Sequence, residues 1–211
     1  MRAVIVSGGT PPTKELLLSY LKKDDFLIGV DKGCNCLYDY DLKPNLVLGD
    51  FDSVNKEVIK SFKESGIEVL KFNPEKDYTD SDLGYIKAKE HGADEIVFFG
   101  ATGSRIDHSL GNIGILLKSL REGIKLEIID DNNRIFLIDK ETSIKGTYGE
   151  IISFHALSDA VKNICIKDAK YELSGYDMKL LEPRAICNEF IHKDISISFD
   201  SGIIMVIFPK D

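Results

Sequence analysis

A parallel α/β domain followed by an all-β domain is the fold class predicted by this 211-residue sequence, on three observations. Through residues 1–130, short apolar runs alternate with helix-like segments. Those runs are rich in Val, Ile, Leu and Phe without polar alternation, the pattern of parallel strands covered on both faces. From Arg134 to Pro209 helical periodicity fades, and strand-like runs follow one another between turn residues.

Taken in order, the predicted strands of the first domain are Ala3–Ser7, Phe26–Asp31, Asn45–Asp50, Glu68–Phe72, Glu95–Gly100 and Leu126–Asp131. The helices between them are Lys14–Lys22, Asn55–Ser65, Asp80–His91 and His108–Arg121, with Thr13, Ser53, Thr79 and Asp107 as expected caps. Strand–helix alternation of this kind calls for right-handed crossovers onto one parallel sheet. The second domain, 131–211, takes strands Arg134–Ile138, Glu150–Ala156, Lys162–Ile166, Asp194–Phe199 and Ile203–Phe208, with a hairpin expected at Asp200-Ser201-Gly202. Short strands at this spacing make a sandwich or barrel.

Composition narrows the function. With 43% hydrophobic and 29% charged residues the chain is ordinary globular protein. A net charge of −8 argues against nucleic acid as a partner held by general basic attraction. No apolar stretch approaches the roughly 20 residues that span a bilayer, so no membrane role is expected. Met1–Thr10 lacks the apolar run of a signal peptide. Cys34, Cys36, Cys165 and Cys187 complete no zinc pattern and are expected as reduced thiols of a cytoplasmic protein.

Parallel α/β sheets bind ligands beyond the carboxyl ends of their strands. Seven Asp fall at or just after those ends: Asp31, Asp50, Asp52, Asp77, Asp80, Asp82 and Asp107. For one such Asp, capping the next helix is the ordinary explanation. A set converging on one sheet edge repels itself unless a cation sits among its members. Mg²⁺ suits hard carboxylate oxygens together with substrate phosphates. Asp82 is the member most easily explained by capping. Gly100–His108 reads as a phosphate loop: Gly100 and Gly103 permit close backbone approach, Ser104 offers a donor and Arg105 a rigid fork. His108 and Asn112, four apart, share a helix face toward the same region. Ser7-Gly8-Gly9-Thr10 lacks dinucleotide-binding spacing and reads as a tight turn at the site's edge.

Three motifs together resemble the thiamine pyrophosphokinase family: Gly49-Asp50-Phe51-Asp52-Ser53, Asp77-Tyr78-Thr79-Asp80, and Gly103-Ser104-Arg105-Ile106-Asp107-His108 followed by Asn112. Asp31-Lys32-Gly33 is similar to the family's Asp-Gly-Gly, and Cys187-Asn188-Glu189 to its Ser-Asn-Glu. The resemblance implies an α/β nucleotide domain followed by a β-sandwich. It implies transfer of the pyrophosphoryl group of ATP to the hydroxyl of thiamine, leaving AMP, by a homodimer that binds thiamine between subunits. It makes Asp31, Asp50, Asp52 and Asp80 the Mg²⁺ ligands. Asp77, Thr102, Gly103, Ser104, Arg105, His108 and Asn112 become nucleotide contacts, and Met178, Cys187 and Asn188 thiamine contacts. Three departures stand out: Ser104 for Gly, Cys187 for Ser, and Met178 where an aromatic residue is common.

Such a transfer brings a neutral alcohol to a polyanion, so catalysis is mostly positioning and charge neutralisation. Asp52, Asp80, Arg105 and Asp107 are the expected catalytic residues, with Asp80 or Asp107 taking the hydroxyl proton. Two alternatives are a pyrophosphokinase acting on another alcohol, such as a hydroxymethylpterin, and a non-catalytic nucleotide-sensing module.

Overall fold

The computed structural model describes residues 1–73 and 77–210; Asp211, which ends the second expected domain, lies outside them. It divides into two compact units, Met1–Asp131 and Asn132–Asp211.

In the first unit six strands run parallel: β1 (Arg2–Val6), β2 (Phe26–Val30), β3 (Leu46–Gly49), β4 (Glu68–Lys71), β5 (Glu95–Phe99) and β6 (Lys125–Ile129). Their spatial order is β6-β5-β1-β2-β3-β4, with every neighbouring pair parallel. Ala3, Val4, Ile5 and Val6 are all fully buried, so both faces of β1 are covered and its unbroken apolar run is accounted for. Each fully buried Leu, Ile or Phe contributes roughly 1.5–3 kcal/mol. The order reverses between β1 and β5, since β2, β3 and β4 extend to one side and β6 to the other. That reversal opens a crevice where a parallel sheet takes its ligand.

The helices are α1 (Lys14–Tyr20), α2 (Gly33–Asp39), α3 (Lys56–Glu64), α4 (Asp80–Glu90) and α5 (Ile106–Arg121). Thr13 caps α1 and Thr79 caps α4 through their hydroxyls, which accept from the amides of Leu16 and Asp82. Two expected caps are corrected. Asn55 rather than Ser53 caps α3, accepting from the Glu57 amide, and α5 begins behind Arg105 rather than Asp107, with no side-chain cap. Helix α2 was not predicted, and its residues explain why: it is short, uncapped by a side chain and built of weak helix formers. Burial of Cys34, Cys36 and Leu37 holds it in place instead.

The second unit is a sandwich of two antiparallel sheets. One has the order β12 (Ala185–Glu189), β9 (Ile151–Ala156), β14 (Ile204–Pro209), β7 (Asn133–Ile138). The other runs β11 (Leu173–Lys179), β10 (Ala160–Lys167), β13 (Ile195–Ser198), β8 (Thr142–Ile144). Ile152, Phe154, Val206 and Phe208 from the first meet Ile164, Ile166, Ile195 and Ile197 from the second in one core. The expected hairpin at Asp200-Ser201-Gly202 is corrected: β13 pairs with β10 and β8, whereas β14 pairs with β7 and β9, so the turn crosses from one sheet to the other.

Candidate active site

A cavity of about 700 Å³ opens at the carboxyl ends of the first unit's strands. The loops after β1 and β5, the strands flanking the order reversal, form much of its wall. These loops are clasped together: the Gly9 amide donates to the Gly100 carbonyl and the Thr10 amide to the Thr102 carbonyl, both at 2.8 Å. Asn112, buried in α5, donates from Nδ2 to the Ala101 carbonyl at 2.7 Å and fixes the β5 loop from below. Thr102 Oγ1 donates to Asp130 at 2.6 Å.

Of the predicted residues, Asp31, Asp80, Thr102, Gly103, Ser104, Arg105, His108 and Asn112 all line this cavity. Asp50, Asp52, Asp77 and Asp107 do not. Asp31 sits in the left-handed region at φ 44° at the end of β2, with its carboxylate against Gly49. A Cβ on Gly49 would stand 1.9 Å from Asp31 Oδ1, so only glycine leaves room for that carboxylate. The Asp31 carboxyl is pushed up to about 7, chiefly by burial and then by the charges of Asp80 and Asp50. It shares a hydrogen bond with Asp80, and the Phe51 amide donates to it at 3.4 Å. The Asp52 amide donates to Asp50 Oδ1 at 2.9 Å, folding these two into a tight turn.

Among the described residues no three Asp, Glu, His or Cys side chains stand together as a ready-made metal cage. Mg²⁺ rarely needs one, because one or two carboxylates with substrate phosphates and water complete its octahedron. The Asp31–Asp80 pair, unable to hold two negative charges cheaply, fits that description. Asp82, the member expected to serve the helix, gives its amide to the Thr79 cap and accepts from Lys118 Nζ at 2.8 Å.

Arg105 donates to Asp107 from Nη2 at 2.6 Å and from Nε at 3.2 Å. The guanidinium holds the Asp107 carboxyl down at about 2. The residues expected to contact thiamine belong to the second unit. Cys187 is exposed, with φ 54°. Asn188 is 2% exposed: its Oδ1 accepts from the amides of Tyr171 and Glu189, and its Nδ2 donates to the Tyr171 carbonyl. Met178, expected to face thiamine, is 0% exposed within the sandwich core, because alternation along β11 turns it inward.

Sequence reasoning missed Lys32, Ser53, Tyr78 and Ser109 in the cavity wall, and set Ser7–Thr10 at its edge rather than beside the order reversal. Ser7 Oγ and Ser81 Oγ share a hydrogen bond of 2.7 Å there. The signal for this loop was present as two adjacent glycines after a buried strand; strand order was needed to interpret it.

A family model described as the catalytic domain of thiamin pyrophosphokinase matches residues 17–128, and one described as its vitamin B1 binding domain matches residues 135–204. A thiamine pyrophosphokinase of Bacillus subtilis is 34% identical over 209 residues, covering 98% of each chain. A solved structure of thiamine pyrophosphokinase from Bacillus subtilis superposes with a TM-score of 0.90 at 33% identity, over all of both chains. A thiamin pyrophosphokinase family protein from Enterococcus faecalis does so with a TM-score of 0.85 at 30% identity, again over all of both chains.

Proposed function

The chain belongs to the thiamine pyrophosphokinase family, and on that premise we propose that it transfers the pyrophosphoryl group of ATP, with Mg²⁺, to the hydroxyl of thiamine. The observation that carries the ATP and Mg²⁺ part is the Asp31–Asp80 pair. It stands in one cavity with the Gly100–Arg105 loop, at the reversal of strand order. Asp31, Asp50, Asp52 and Asp80 are the residues that would hold Mg²⁺, and the ion would supply charge neutralisation on the triphosphate. Arg105, steadied by Asp107, offers a guanidinium to the phosphates. Thr102, Gly103, Ser104, His108 and Asn112 shape the loop and helix beside it, and Asp77, on the segment leading into α4, is a further residue that would meet the nucleotide. Of the two carboxylates expected to take the hydroxyl proton, Asp107 is the weaker base, because Arg105 holds it at about 2. That leaves Asp80.

On the acceptor side, Asn188 acts by pinning the backbone of Tyr171 rather than by offering its own amide. Cys187 remains the exposed contact for thiamine. Exposed Leu180, Leu181 and Ile186 in the second unit favour a homodimer, whose second copy would complete the acceptor site. Four free cysteines favour a reducing, cytoplasmic setting. Among the described residues no helix is long and apolar enough to cross a membrane.

The deciding experiment is AMP release from ATP. It is expected with thiamine and Mg²⁺ and not when thiamine is replaced by a hydroxymethylpterin. ATP binding without AMP release would turn the reading toward nucleotide sensing.

The Asp31–Asp80 pair also makes a prediction about pH. The folded chain keeps the Asp31 proton up to about 7, against 3.8 for an ordinary Asp. This group's contribution to stability is therefore complete below the ordinary value and is lost as pH rises through about 7. Without divalent cations, Asp31→Asn is expected to raise the melting temperature relative to the native chain. The gain should grow from pH 4 to pH 7 and level off above. Mg²⁺ with nucleotide should stabilise the native chain more at high pH than at low, since the ionised pair binds the cation. A difference in melting temperature that ignores pH would remove this account of Asp31.

A further inference from the structure

We propose that Lys32 is a second phosphate-binding cation of this site, facing the part of the nucleotide that is transferred. The proposal rests on the reading of the cavity as an ATP site. The cavity wall carries two acidic residues, Asp31 and Asp80, and two full cations, Lys32 and Arg105. The cations are not equivalent. Arg105 is engaged twice by Asp107, which offsets much of its charge before any ligand arrives. Lys32 makes no side-chain hydrogen bond or ion pair with another described residue, and it is exposed at the wall.

Its placement follows from the backbone. Lys32 comes directly after Asp31 at the end of β2, beside the loop that follows β1. A Cβ on Gly8 would touch Lys32 Cβ at 3.4 Å, so this glycine lets the lysine stem rise close along the loop. An ammonium one residue from Asp31 serves the same end of the cavity as the Asp31–Asp80 pair. That is the end at which the terminal phosphates would meet the metal. Arg105, on the loop after β5, approaches from another strand. Without Lys32 the wall has two carboxylates facing one partly neutralised guanidinium, an unfavourable surface for a polyanion.

The test is calorimetric binding of ATP and of AMP, with Mg²⁺ present, to the native chain, Lys32→Ala and Lys32→Arg. Loss of one charge-assisted contact is expected to weaken ATP binding roughly 10-fold in Lys32→Ala. AMP, which lacks the transferred phosphates, should change less than about twofold, and Lys32→Arg should stay near the native affinity. A Lys32→Ala chain that binds ATP as the native chain does would overturn the assignment. So would equal weakening of ATP and AMP, which marks a structural role. If the native chain itself binds no ATP, the functional reading fails along with the assignment; if it binds ATP and only the variant result is negative, the functional reading stands alone.

Discussion

Replacing Asp80 with Asn is expected to lower turnover by roughly 100- to 1,000-fold while the chain stays folded, the scale seen when one preorganised electrostatic contact is removed. Asp80 is the first residue of α4, but Thr79 provides the cap, so the helix start survives the change. The Asn amide still fills the place beside Asp31 and keeps a hydrogen-bonding group there. What disappears is one negative charge. After burial, that charge is the largest reason the Asp31 carboxyl lies near 7. The variant should therefore also let Asp31 ionise at lower pH, and the pH profile of Mg²⁺ binding should move in the acid direction. Turnover at saturating thiamine, ATP and Mg²⁺, measured beside a melting curve, separates loss of chemistry from loss of fold. Near-native turnover under those conditions would sink the assignment of Asp80 to the metal.

Much of the first unit was legible because its strands carry their own signal. Val4 through Val6, Ile96 through Phe99 and Leu46 through Leu48 are buried on both faces, and an unbroken apolar run has no other use in a short segment. Helix α2 was not legible. Its formation depends on Gly33 lying so close to β1 that a Cβ would meet the Val6 carbonyl oxygen at 1.9 Å, a tertiary demand that local propensity does not record. In the second unit the missed strands have matching reasons. β12 carries a register shift between Ala185 and Asn188, with Cys187 at φ 54°, which breaks the alternation a reader looks for. β11 buries only Met178, and three-residue β8 is too short to show a period.

The site divides the same way. Residue types at strand ends were enough to name Asp31, Asp80 and the Gly103–Arg105 loop, because in a parallel sheet the carboxyl edge is fixed by connectivity alone. Strand order is not fixed by connectivity. The reversal between β1 and β5 is what draws Ser7–Thr10 and Lys32 into the wall. Met178 lies inward for a different reason. Its place in a motif suggested an accessible side chain, yet the face it occupies is set by pairing with β10, in which it stands opposite Val161 of the core. A position in a motif carries no information about which side of a strand is inward until the register is known.

Gly9→Ala should be among the most damaging single-methyl changes in the cavity wall. The added Cβ would stand 2.2 Å from the Thr102 carbonyl oxygen and 2.5 Å from that of Gly100. Both are backbone atoms, so no side-chain rotation relieves the clash, and the loops after β1 and β5 must part. Parting them breaks the Gly9–Gly100 and Thr10–Thr102 hydrogen bonds and carries Arg105 away from Asp31 and Asp80. Overpacking of this kind costs about 1–3 kcal/mol of stability. Misplacing a positioning loop by about 1 Å costs about 100-fold in turnover, so the catalytic loss should exceed what the stability loss predicts. Gly111→Ala is the matched comparison: it lies within α5, and its added Cβ has no heavy atom within 4 Å. That change should raise stability by about 0.5–1 kcal/mol through helix propensity. Chemical denaturation and turnover of the two variants, measured side by side, decide the matter. If Gly9→Ala behaves as Gly111→Ala does, the two loops are not locked together by close backbone approach, and the cavity is shaped by something other than the glycine after β1.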